Sequence, residues 1–159
     1  MTNQIKVGDK APTFTLPDTE LKPRTLQEFL GHKIVIAFFV AAFTDVCTKE
    51  MCAFRDSMAR LTDLEAQVIG ISVNDPFSNK AFAEKNRLTF PILSDYNRQA
   101  IKAYGVENPD FGGLKGYTVA KRSIFIVDKN GVVRYTWTTE DSRREPDYKE
   151  IESALEKIE

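Results

Sequence analysis

The chain has 159 residues, enough to bury one sizeable core, and reads as a single domain over residues 1–159. Hydrophobic residues make up 42% and charged residues 28%, an ordinary balance for a soluble globular protein. With 22 basic and 23 acidic residues the net charge is −1, which gives no reason to expect nucleic acid or an acidic lipid surface as a partner.

In chain order, Lys10 to Pro17 (KAPTFTLP) reads as a short extended segment entered and left through proline. Thr25 followed by Glu28 is a capping-box pattern for a short helix through Leu30, which Gly31 stops. Lys33 to Phe39 is continuously apolar, the mark of a central strand covered on both faces. The longest apolar run, Ile34 to Phe43, is too short to cross a bilayer. The first residues, MTNQIKVGDK, hold no apolar leader core, so a cytosolic protein is expected.

A helix is predicted over Thr44 to Leu64, because Cys47, Met51, Phe54, Met58 and Leu61 step by four, three, four and three along one face. Gln67 to Val73 is the next apolar strand, and Asn74-Asp75-Pro76 opens a helix through about Lys85. Phe90 to Leu93 reads as a short strand, and Asn97 to Tyr104 as a short helix ended by Gly105. Glu107 to Ala120, with three glycines and no clear period, reads as a loop. Ser123 to Val127 and Val132 to Thr138 alternate as strands, joined by the hairpin signal Asp128-Lys129-Asn130-Gly131. A polar link, Glu140 to Glu145, leads to a last helix from Asp147 to Ile158, with Tyr148, Ile151, Leu155 and Ile158 on one face. Parallel crossovers followed by an antiparallel hairpin and a helix predict an α/β fold with a mixed central sheet flanked by helices, consistent with a thioredoxin-like core.

The chemistry concentrates at the two cysteines. In a reducing compartment such a pair points to redox or nucleophilic work more than to a structural staple. A free thiol has a pKa of about 8.5, and the thiolate is the nucleophile. Cys47 falls in the first turn of its helix, where unpaired N–H groups and the helix dipole favour an anion. Thr44, three residues earlier, can direct its hydroxyl at the same point, and a thiolate buried there needs a fixed cation, for which arginine is suited. The plain alternative for Cys47 is an inert core cysteine.

Cys52 lies about 140° round the helix from Cys47, off the apolar stripe, beside Asp56, Ala59 and Asp63. It is either an idle surface thiol or a resolving thiol that attacks an oxidised Cys47. Five helical residues separate the two Cα atoms by about 8.7 Å, whereas a disulfide needs less than about 7 Å. A Cys47–Cys52 bond therefore requires the first turns of the helix to unwind.

Other chemistries lack their residues. Two cysteines and a single histidine fall short of a zinc site, and the C-x4-C spacing is not the C-x-x-C redox motif. A cysteine protease would need His32 as its base, and that residue reads as a surface position between Gly31 and the strand at Lys33. Gly112, Gly113 and Gly116 lack the flanking strand and helix of a phosphate loop.

The segment FFVAAFTDVCTKEMCAFRD resembles the active-site segment of the peroxiredoxins, the thiol-dependent peroxidases, most closely the branch called bacterioferritin comigratory protein or peroxiredoxin Q, with some AhpE-like character. VGDKAPTFTLPD is similar to that family's opening, and KRSIFIVDKNGVVRY to its closing hairpin. The resemblance implies a thioredoxin fold and reduction of hydrogen peroxide or organic hydroperoxides without metal or other cofactor. It implies Cys47 as the peroxidatic cysteine, Thr44 as a hydrogen-bonding partner of the peroxide, Arg122 as the cation on the thiolate, and Cys52 as the resolving cysteine. Val40, Phe43 and Val46 are implied to shape the substrate pocket, with the Val46 and Cys47 N–H groups completing an anion site. The family's motif proline, seven residues before the cysteine, is Val40 here, which keeps an apolar shield but restores an N–H and frees φ. A thioredoxin- or glutaredoxin-like dithiol is the implied reductant, and relatives suggest a monomer or a homodimer. The alternatives are a one-cysteine mechanism with Cys52 idle, and a thioredoxin-fold binding or holdase module without turnover.

Overall fold

The computed structural model describes residues 4–158. Five strands form the central sheet: β3 (Lys33–Phe38), β4 (Ala66–Ser72), β5 (Ile92–Ser94), β8 (Ser123–Val127) and β9 (Val133–Thr138), in the order β5-β4-β3-β8-β9. β3, β4 and β5 run parallel, and β8 and β9 join antiparallel beyond β3. Every residue of β3 is buried, as its unbroken apolar run requires. The mixed α/β architecture expected of the sequence is thus present.

Two crossover helices, α2 (Asp45–Asp56) and α4 (Pro76–Lys85), cover one face. Phe39 stacks on Phe82 of α4 there, and Met51 of α2 closes over Gly70, where an added Cβ would stand 3.4 Å from its sulfur and 2.7 Å from Ile92 Cδ1. α6 (Tyr148–Glu156) lies against α2 on the same side, with Phe54 and Tyr148 edge to face. On the opposite face Phe38, Phe125 and Tyr104, which follows α5 (Gln99–Ala103), form a ring cluster with centroids 5.1–5.9 Å apart. The Thr25–Glu28 capping box opens the one-turn α1 (Leu26–Phe29) as the sequence predicts.

Five elements differ from the sequence reading. The helix predicted over Thr44 to Leu64 is two helices, α2 and α3 (Met58–Asp63), parted at Ser57. The Ser57 N–H is shared between the Ala53 and Phe54 carbonyls at 3.1 and 3.2 Å, a local tightening at a residue with poor helix propensity. Near Pro17, β1 (Thr15–Pro17) pairs with an unforeseen β2 (Pro23–Thr25). The turn between them is held by the Asp18 carboxylate, which accepts from the Glu20 and Lys22 N–H groups and from Arg24. The stretch read as loop closes its ends in a small ladder, β6 (Glu107–Asn108) with β7 (Val119–Ala120), around a 3-10 turn at Phe111–Gly113. The strand expected over Phe90 to Leu93 runs from Ile92 to Ser94, and the helix expected from Asn97 begins at Gln99.

Among the described residues no helix is long and apolar enough to cross a membrane.

Candidate active site

β3 delivers the chain to the start of α2 through a turn in which Phe43 takes a left-handed φ of 68°, an uncommon conformation for a bulky residue. Thr44 is the extended N-cap residue, and Thr48 is the first to bond back to it, N–H to the Thr44 carbonyl at 2.9 Å. The N–H groups of Asp45, Val46 and Cys47 precede any intrahelical acceptor. Cys47 sits in this turn with its sulfur fully buried. A buried sulfur beside free N–H groups and the positive end of a helix is a place for an anion.

Sheet register supplies the cation. Phe38 at the end of β3 pairs with Ser123 at the start of β8, so Arg122, one residue earlier, emerges beside the α2 start although it is 75 residues from Cys47. Its guanidinium is almost fully buried, and each edge has a partner. Nη2 donates to Cys47 Sγ at 3.2 Å, and Nη1 donates to Glu50 Oε1 at 2.8 Å. The Ser142 carbonyl accepts from both Nε (3.2 Å) and Nη2 (2.7 Å). Ser142 arrives because β9 ends at Thr138, opposite Ser123, and the next residue donates its N–H back to the Arg122 carbonyl at 3.1 Å. Burial would depress the charged form of Arg122, but Glu50 and Cys47 outweigh it and hold its pKa above the ordinary value.

Above this centre opens a cavity of about 430 Å³. Val40, Val46 and Phe111 supply its apolar walls. Thr44, Asp45, Lys49, Ser142 and Arg143 form its polar lining, and Arg122 reaches it from below. The Thr44 hydroxyl donates to the Ala41 carbonyl at 2.8 Å, leaving its lone pairs free for a donor in the cavity. A small molecule with two adjacent oxygens could meet the guanidinium, the free helix N–H groups and the Thr44 hydroxyl together, next to the sulfur. Phe43, grouped with the pocket in the sequence reading, does not line it. Its half-exposed ring packs edge-on against Phe82 at 5.4 Å, on the α4 side of the helix start.

Cys52 is half-buried on the flank of α2 that meets α4. Its Sγ lies 3.7 Å from Asn86 Oδ1, and Arg55 Nη1 donates to the Asn86 carbonyl at 2.5 Å. No disulfide joins the two cysteines, and α2 is an unbroken helix between them.

Lys49, Phe111 and Arg143 of the cavity lining are absent from the sequence reading, as are two partners of the Arg122 guanidinium. Ser142 acts through its backbone, which no side-chain pattern announces. Glu50 did leave a signal: it stands three residues from Cys47 on the apolar stripe, where an acid is out of place. Its carboxyl is fully buried, Oε2 has no hydrogen-bond partner among the described residues, and burial pushes its pKa from 4.5 up to about 7 despite Arg122. Asp45, two residues before Cys47, is exposed and lines the cavity.

The family model described as AhpC/TSA matches residues 7–136. The chain is 40% identical over 137 residues to a protein named "Peroxiredoxin Q, chloroplastic" from Populus jackii, covering 86% of this chain and 62% of that one. A protein of the same name from Triticum aestivum is 41% identical over 137 residues, covering 86% and 61%. The chain therefore spans about three-fifths of these relatives' length. Among solved structures, the peroxidoxin BcpB of Mycobacterium tuberculosis superposes with a TM-score of 0.87 at 31% identity, covering 98% of this chain and 99% of that one.

Proposed function

The chain belongs to the AhpC/TSA family, the peroxiredoxins, and from that premise we propose that it is a one-domain, thiol-dependent peroxidase with Cys47 as its reacting thiol. The observation that carries the proposal is the Arg122 guanidinium on Cys47 Sγ at 3.2 Å, at the base of a cavity bounded by Thr44 and Val40. The guanidinium and the first-turn N–H groups favour the thiolate, and the same donors meet charge that develops on the peroxide oxygens.

The thiolate attacks one peroxide oxygen, an S–O bond forms as the O–O bond breaks, and the other oxygen leaves as water or an alcohol after taking a proton. Cysteine sulfenic acid remains at Cys47. The Cys52 thiol then displaces the sulfenic oxygen as water and forms a disulfide, which an external dithiol of the thioredoxin or glutaredoxin type reduces at the cost of its own oxidation. This cycle asks for a reducing compartment, the cytosol on the sequence reading. It needs the α2 helix to open, because an intact helix keeps the two Cα atoms about 8.7 Å apart.

The test is peroxide consumption with a dithiol donor, which Cys47→Ser abolishes; survival of most activity in that variant overturns the reading. The Cys52–Asn86 contact across an unbroken helix favours a second reading, in which Cys52 stays idle and an outside thiol resolves Cys47. One equivalent of peroxide without a donor separates the two by mass. An intramolecular disulfide loses two hydrogens, whereas a sulfenic acid gains one oxygen.

A further inference from the structure

Three groups meet in the dark at the foot of α2: two acids, Cys47 and Glu50, and one base, Arg122, all essentially without solvent contact. The guanidinium gives one edge to each acid, Nη2 to Cys47 Sγ and Nη1 to Glu50 Oε1. If both acids were ionised the buried cluster would carry a net negative charge. With one proton between them it is neutral. Burying an uncompensated charge is far more costly than burying a neutral pair, so the two ionisations oppose each other.

We propose that Glu50 is the proton partner of Cys47, the two side chains competing for the single guanidinium of Arg122, so that the protonated carboxyl accompanies the reactive thiolate. Glu50 is a positioning residue in this role, since it acts through Arg122. A purely structural ion pair would give the carboxylate partners on both oxygens, yet Oε2 has none in a fully buried place. An uncharged carboxyl bears that vacancy at less expense than a carboxylate. The groups acting on Glu50 are Arg122 from the β8 entry and Glu145 from the segment before α6. Tyr148 on α6 feels its charge in turn. Glu145 repels the Glu50 anion, and Tyr148, hydrogen-bonded to Glu145 at 2.7 Å, gives it no bond. Among the described residues only Arg122 stabilises the carboxylate, and Arg122 is shared.

The inference rests on Cys47 being the reacting thiol, but its test reads ionisation and not turnover. The thiolate of Cys47 is followed by its absorbance near 240 nm, isolated by difference against Cys47→Ser. In the wild-type chain ionisation spreads over two steps, because the first proton lost is divided between the two acids. Glu50→Gln keeps the shape and removes the competing charge. It is expected to yield a single step at lower pH, with the thiolate-to-thiol ratio near neutral pH raised about tenfold or more, one unit of displacement being tenfold. Linkage makes the effect reciprocal. In Cys47→Ser the Glu50 carboxyl, followed by its side-chain carbon-13 shift, is expected to titrate in one step at lower pH than in the wild-type chain. A Glu50→Gln titration that superimposes on the wild type, or moves upward, overturns the proposal. An unmoved Glu50 titration in Cys47→Ser overturns it equally, and that variant decides alone if Glu50→Gln does not fold. A chain that passes both measurements but consumes no peroxide would refute the peroxidase reading and leave this coupling standing.

Discussion

Arg122 holds three partners with one planar fork, and no other side chain can reproduce that. Arg122→Lys keeps the charge but offers a single ammonium, which cannot reach Cys47, Glu50 and the Ser142 carbonyl together. The expected loss of peroxide reactivity is on the order of 100-fold, within the range seen when one donor to a developing oxyanion is removed. Stopped-flow oxidation of Cys47 measures it, and a loss under threefold would show that charge alone suffices. Arg122→Ala goes further and leaves Glu50 buried without a counter-charge, a change that costs about 3–5 kcal/mol when a buried ion pair loses one partner. Arg122 is what lowers the Glu50 pKa against burial, so without it the carboxyl takes up a proton more readily and part of that cost is avoided at acid pH; the Arg122→Ala chain is expected to melt higher at pH 5 than at pH 8. At this scale the sequence told most through Cys47, because helix position and thiol chemistry are local. Arg122 was reached only by resemblance, since its approach depends on β3–β8 register, and Ser142 could not be reached because it works through a carbonyl.

Helix α2 has to serve two states if Cys52 resolves Cys47. In the reduced chain its flank is clasped to the C-terminus of α4 through Asn86, which meets Cys52 Sγ with its side chain and Arg55 with its carbonyl. Unwinding the segment between the cysteines has to release the Cys52 contact first. Asn86→Ala deletes the side-chain half and spares the carbonyl that Arg55 uses, so disulfide formation is expected to quicken about two- to tenfold, the worth of one modest hydrogen bond. Quenched-flow alkylation after a peroxide pulse measures that step, and an unchanged or slower rate counts against the clasp. The oxidised chain should also lose amide-exchange protection over residues 45–52 relative to the reduced chain, while β3 keeps its own. Much of this was legible in the sequence. Of the predicted stripe, Cys47, Met51, Phe54 and Leu61 are buried as the spacing requires, and Met58, just past the break at Ser57, is half-buried. The break at Ser57 was not, because a weak helix former within a strong stripe gives no clear stop. Nor was the covering of Cys52, since α4 reaches it through tertiary packing alone.

Across the whole molecule the buried core was the most readable feature. The apolar runs of β3, β4 and β8 and the Asp128–Gly131 turn sort themselves by period and turn chemistry. The short ladders β1–β2 and β6–β7 did not, because two- and three-residue strands have no period and form only where the fold brings their edges together. That global arrangement also divides the titrating acids into two opposing sets. Asp18 and Asp128 lie in turns where backbone N–H groups and arginines outweigh a burial penalty and lower their pKa values. Each binds fewer protons in the folded chain than in the unfolded one as pH falls, so its stabilisation is present above about 3.8 and fades below it. Glu50 has the reverse sign. Its pKa is raised from 4.5 to about 7 by burial, so its favourable contribution is complete below 4.5 and is lost as pH climbs through 7. Asp95, raised by burial, adds in the same direction. The reduced chain is therefore expected to melt highest near pH 4–5 and to lose stability toward pH 8, with a slope from Glu50 of at most about 1.4 kcal/mol per pH unit. Calorimetry from pH 3 to 8 on the wild-type chain and Glu50→Gln checks both parts. Gln cannot titrate, so the decline between pH 4.5 and 7 should flatten in that variant while the acid limb set by Asp18 and Asp128 stays. A wild-type chain whose melting temperature rises steadily from pH 5 to 8 would show that the Glu50 pKa is not raised by folding.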